Sequence, residues 1–80
     1  MRMRRRLLIR ARGAASRKPL LWEVGKRCGV EWNVRRVRTR ADMSEAAVEL
    51  SGGERDVRRA MKLLKKRGAE VFPVERSLFE

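Results

Sequence analysis

Eighty residues leave room for one small domain around one modest core, with too little chain for a second. A single cysteine and no histidine exclude an intramolecular disulfide and make a zinc site implausible, so among the usual reinforcements of small domains dimerisation stays open. The 22 Lys and Arg against 10 Asp and Glu give a formal charge of +12, a field that draws polyanions by counterion release and steering before any site is built.

Arg4 to Ala11 alternates Leu7, Ile9 and Ala11 against Arg6, Leu8 and Arg10, the pattern of a strand with one apolar face. Leu7-Leu8-Ile9 is its longest apolar run, far short of a bilayer span or a secretory signal, so a reducing cytoplasm and no membrane insertion are expected. After the loop Gly13-Ala14-Ala15-Ser16, Pro19 suits the first turn of a helix, where a missing N–H is no loss. Leu20, Leu21, Val24 and Cys28 form its inward stripe up to Gly29. Cys28 is thus read as a small core residue, because no histidine exists to activate it. Val30 to Arg40 reads as a second strand whose inward phase shifts between Val34 and Val37, the mark of a bulge.

The arginines of that strand suit an edge, where charge discourages pairing with foreign chains. Ala41-Asp42-Met43-Ser44 connects to a third strand, Glu45 to Leu50, with Ala46, Val48 and Leu50 inward. Asp42 and Glu45 fall far below the ligand count of a calcium loop and are read as turn chemistry. Ser51 and Glu54 have capping-box spacing before a second helix, with Gly53 an equally good cap. Val57, Ala60, Met61 and Leu64 recur at helical spacing on its inner face. Val71 to Val74 is the last strand, marked as an edge by Pro73, and residues 76–80 read as a tail.

The pattern Lys26-Arg27-Cys28-Gly29-Val30-Glu31-Trp32 returns 39 positions later as Lys65-Lys66-Arg67-Gly68-Ala69-Glu70-Val71. Each copy ends a helix on glycine and turns straight into a strand, with cations facing the negative end of the helix dipole. Two tandem β-α-β units make an α+β, ferredoxin-like β-α-β-β-α-β two-layer sandwich, whose antiparallel sheet has the usual order 4-1-3-2. Trp22 and Trp32 are the largest apolar surfaces and are expected in the core, with a dimer interface or a stacking platform as the other options.

Within this architecture, Arg17-Lys18-Pro19-Leu20-Leu21-Trp22 opening a helix, Gly29-Val30-Glu31-Trp32-Asn33-Val34, Val48-Glu49-Leu50-Ser51-Gly52 and Leu64 to Val71 together resemble the NIL domain. The resemblance covers about residues 5–75 of a single domain, 1–80, and is to the free-standing type. That family takes its name from an Asn-Ile-Leu triplet on the second strand, and similar domains form the C-terminal regulatory domain of methionine-importer ATPases, where they bind methionine and inhibit transport. The resemblance implies a homodimeric, non-catalytic regulatory module that binds a small amino-acid-like ligand, without cofactor or metal. Asn33 matches the asparagine of the triplet, so the implied ligand residues are Asn33, Val34, Arg35 and Arg36, with Arg35 standing where the family has leucine. An amide offers donor and acceptor to a zwitterion, and a guanidinium pairs with a carboxylate. Asn33 is equally read as bonding the backbone at the bulge.

Nucleic-acid binding is the alternative of another class, through phosphate contacts from Arg2, Arg4, Arg5, Arg6, Arg36, Arg38 and Arg40 without sequence specificity. RNA-recognition domains share the topology but stack bases on aromatics of the two central strands. Here Trp22, Trp32, Phe72 and Phe79 all lie elsewhere. Acyl-phosphate hydrolysis, the catalytic precedent on this fold, uses an arginine in the first loop and an asparagine on the second strand, positions held here by Arg17 and Asn33. That loop has only Gly13 and lacks the glycine-rich backbone cradle of a phosphate site, so no enzyme is expected.

Overall fold

The computed structural model describes residues 2–74, with Arg17 described through its backbone. Expectations for the tail at 76–80, for Phe79 and for the Arg17 side chain lie outside the described residues. The elements are β1 (Arg2–Arg12), a 3-10 turn (Gly13–Arg17), α1 (Leu20–Cys28), β2 (Glu31–Arg40), β3 (Met43–Gly53), α2 (Glu54–Lys66) and β4 (Ala69–Pro73). All neighbouring strands are antiparallel, in the order β2-β3-β1-β4. Read from the other edge this is the expected 4-1-3-2, with the arginine-rich strand and the proline strand at the two edges.

The period-two pattern of β1 and the 3.6-residue pattern of both helices meet in one core. Leu7, Ile9 and Ala11 of β1 and Val48 and Leu50 of β3 pack against Leu20, Val24 and Cys28 of α1 and Val57, Ala60 and Leu64 of α2. Both helices therefore cover the same face of the sheet, and the other face is open. Leu7, Leu50, Leu64, Val24, Val48 and Val57 are the largest fully buried side chains. Each contributes roughly 1.5–3 kcal/mol of burial free energy, a large share for so small a domain.

Both copies of the repeat end their helix as expected. Gly29 caps α1 at φ 67° and ψ 34°, and Gly68 follows α2 at φ 97°, left-handed conformations in which a Cβ is strained. The expected bulge is present: the β2–β3 register shifts between Val34 and Arg36. The capping box does not form. β3 runs on to Gly53, pairing Ser51 with Arg4 and Glu31, so Ser51 is committed to the sheet and Gly53 is the N-cap of α2.

The two tryptophans part company. Trp32 is half-buried against the core, over Gly25, where an added Cβ would stand 3.1 Å from the indole nitrogen. Trp22 is 65% exposed, contrary to the expectation of burial. The cause is helical phase: Trp22 lies roughly 200° around α1 from Leu20, so it points outward, where the Lys26 ammonium sits 4.9 Å from its ring centroid.

Candidate functional site

The register decides which side chains share the open face of the sheet. Since Leu7 faces Val48 in the core, the alternate pairs Arg6 with Glu49, Leu8 with Ala47 and Arg10 with Glu45 stand on the uncovered side. Arg6 and Arg4 both reach Glu49, at 3.5 and 3.7 Å. Arg10 holds Glu45 through Nη2 at 2.7 Å and Nε at 2.8 Å, while its guanidinium lies 5.5 Å from the Phe72 ring centroid. Arg12 pairs with Glu70 at 3.3 Å. Four of the six arginines of β1, Arg4, Arg6, Arg10 and Arg12, thus spend their charge within the sheet.

β2 differs. The bulge sets Arg35 aside, so that Asn33, opposite Glu49, and Arg36, opposite Ala47, both present to the open face although three positions apart. Arg38 follows opposite Glu45. Arg36 and Arg38 have no carboxylate partner among the described residues. They border a shallow hollow of about 170 Å³ with Leu8 and Ala47 as its apolar lining and Glu45 on its wall. The hollow therefore combines two cations, one carboxylate and a small apolar floor.

Of the ligand residues expected from sequence, Asn33 and Arg36 share this face, Arg35 sits in the bulge, and Val34 turns to the helix side opposite Val48. The expected phosphate set is likewise divided. Arg4 and Arg6 are held by Glu49, Arg5 faces the helix layer beside Met3, Arg58 and Met61, and Arg2 and Arg40 lie at strand ends opposite Gly53 and Met43. Sequence reasoning missed Leu8, Ala47 and Glu45 as lining residues. Their alternation was visible, but their place beside Arg36 needs the β1–β3–β2 register.

No helix among the described residues is long and apolar enough to cross a membrane. Among the same residues no three His, Cys, Asp or Glu side chains cluster as a metal site.

No family model and no curated protein sequence matches this chain. Its fold is similar to that of the C-terminal domain of an ABC transporter ATP-binding protein from Enterococcus faecalis, with a TM-score of 0.67 and 16% identity over 86% of this chain and 83% of that one. It is also similar to the de novo designed protein Foldit4, with a TM-score of 0.57 and 23% identity over 95% of this chain and 99% of that one. At these identities the likeness is one of fold.

Proposed function

We propose that this chain is a non-catalytic regulatory module of the cytoplasm, a homodimer that binds an amino-acid-like zwitterion on the open face of its sheet. The observation that carries this reading is the hollow beside β2, where unneutralised Arg36 and Arg38 stand next to Glu45 over Leu8 and Ala47. A ligand carboxylate meets the guanidinium groups, its ammonium meets Oε1 of Glu45, whose Oε2 is already held by Arg10, and an apolar side chain such as that of methionine lies on the floor. Asn33, on the same face, offers its amide to the polar head. The likeness in fold to a transporter ATP-binding protein's C-terminal domain agrees with a regulatory role.

At about 170 Å³ the hollow is smaller than the roughly 300–1,000 Å³ of pockets that enclose a ligand, so a second copy is needed to close it. β2 is a free edge of the sheet, on which Arg35, Arg36 and Arg38 oppose pairing with that copy until a ligand neutralises them. Two copies of β2 side by side bring two sets of Arg35, Arg36 and Arg38 together, and a bridging carboxylate relieves the repulsion. Ligand binding and dimerisation are then coupled.

A thermal-shift screen of amino acids, with sedimentation at micromolar concentration, tests this. A ligand at about 100 times its dissociation constant stabilises by roughly 2.7 kcal/mol, which in a domain of this size raises the midpoint by about 10–20 °C. The shift is expected in the wild type with methionine or a similar amino acid, to be lost in Arg36→Ala and Asn33→Ala, and to accompany a larger sedimenting species. A chain that stays monomeric and unshifted with every amino acid refutes the reading.

A further inference from the structure

The helix layer carries a second charged surface, opposite to the proposed amino-acid site and independent of it. On α2, Arg55, Arg59, Lys62 and Lys66 recur at i, i+4, i+7 and i+11, a single exposed stripe about 16 Å long. Arg27 of α1 faces this stripe across a groove of about 420 Å³, with Cys28 and Leu63 recessed between the helices. Arg27, Arg55, Lys62 and Lys66 have no carboxylate partner among the described residues, and Arg59 has only a long, exposed contact of 3.8 Å with Asp56. The contrast is with β1, whose Arg4, Arg6, Arg10 and Arg12 are all tied to glutamates, and with the neighbouring Arg58 of α2, which pairs with Glu54 at 3.0 Å.

We propose that the α1–α2 groove is a nucleic-acid surface, on which Arg27, Arg55, Arg59, Lys62 and Lys66 track a phosphate backbone without reading bases. A line of cations along a groove complements a linear polyanion. An anionic membrane is the poorer match, because interfacial helices set apolar side chains beside their cations. Here the large exposed apolar residues, Trp22, Val34, Val37 and Phe72, lie outside the groove. With about four to five phosphate contacts, affinity for duplex DNA falls roughly 150- to 500-fold between about 50 and 200 mM salt.

The test is fluorescence anisotropy of a short labelled duplex, titrated with the full chain over that salt range. A triple variant on the helices, Arg59→Gln, Lys62→Gln and Lys66→Gln, is compared with one on the sheet, Arg4→Gln, Arg6→Gln and Arg12→Gln, which removes the same formal charge. Far-UV circular dichroism verifies that both are folded. The helix variant is expected to lose at least tenfold in affinity at the lowest salt and to reduce the logarithmic salt slope by about 2 to 3 units. The sheet variant is expected to lose less than half as much in slope. Equal losses from the two variants, a wild type that fails to bind at the lowest salt, or capture by phosphatidylserine vesicles at a salt that abolishes duplex binding would each overturn the proposal.

Discussion

Replacing Glu49 by glutamine separates the two arginines that share it. Glu49 is only 12% exposed at its side chain, Arg6 is 39% exposed and Arg4 is 73% exposed. At contacts of 3.5 and 3.7 Å the gross attraction is roughly 4–5 kcal/mol per pair for an effective dielectric of about 20, most of it offset by desolvation and side-chain ordering. What remains scales with burial: about 1 kcal/mol for the Arg6 pair and below about 0.5 kcal/mol for the Arg4 pair. Glu49→Gln is therefore expected to cost about 1–2 kcal/mol, a fall of roughly 5–10 °C in the melting midpoint. Double-mutant cycles in urea separate the partners. Coupling of Glu49→Gln with Arg6→Gln is expected near 1 kcal/mol and to survive moderate salt in part, whereas coupling with Arg4→Gln is smaller and vanishes as exposed charges are screened. If Arg4 couples as strongly as Arg6, or if Glu49→Gln leaves the midpoint unchanged, burial does not rank these contacts and the sheet arginines are not held as described.

Leu50→Ala, at a fully buried position of a central strand, is expected to cost about 3–5 kcal/mol, lowering the urea midpoint at unchanged slope; a loss below about 1 kcal/mol would show that the core does not close over β3. Gly29→Ala isolates backbone strain, since φ is 67° and nothing lies within 4 Å of an added Cβ. It should cost about 1 kcal/mol and Gly29→Asn less, because asparagine tolerates the left-handed conformation; equal losses would contradict the capping geometry. Asn33→Ala, at an exposed edge position, should leave folding stability within about 0.5 kcal/mol of wild type by urea titration, so that any lost ligand response reports on binding.

Periodicity made most of the fold legible. Leu7, Ile9 and Ala11 disclosed the buried face of β1, the spacing of Leu20, Val24 and Cys28 disclosed that of α1, and the phase break between Val34 and Val37 disclosed the bulge. These are local signals, set by the geometry of one element. Pairings such as Arg6 with Glu49 and Arg10 with Glu45 depend on the β1–β3 register, and a strand with arginine at nearly every polar position offers several registers of similar charge balance. Ser51 was ambiguous because capping and strand continuation compete for the same backbone, and pairing to β1 and β2 on both sides decided it. Trp22 failed for a related reason: residue type ranks tryptophan as buried, while its phase on α1 turns it to solvent. The hollow beside Arg36 draws on three strands, so no single segment announces it.

Because β3 lies between β1 and β2, the first half of the repeat contains no hydrogen-bonded pair of strands and cannot fold as a unit. Among the described strands the local pair is the β2–β3 hairpin, turned at Ala41–Asp42. β1 pairs with β3 from Arg12 opposite Met43 to Arg2 opposite Gly53, and with β4 over Leu7 to Ala11, both segments that follow it in the chain. β1 precedes both of its sheet neighbours in the chain and therefore waits for them during synthesis. Throughout that delay Leu7-Leu8-Ile9 is an unpaired apolar segment, the kind that seeds aggregation. Arg4, Arg5, Arg6, Arg10 and Arg12 flank it and act as gatekeepers, repelling other nascent copies until Glu45 and Glu49 arrive on β3 to neutralise part of their charge.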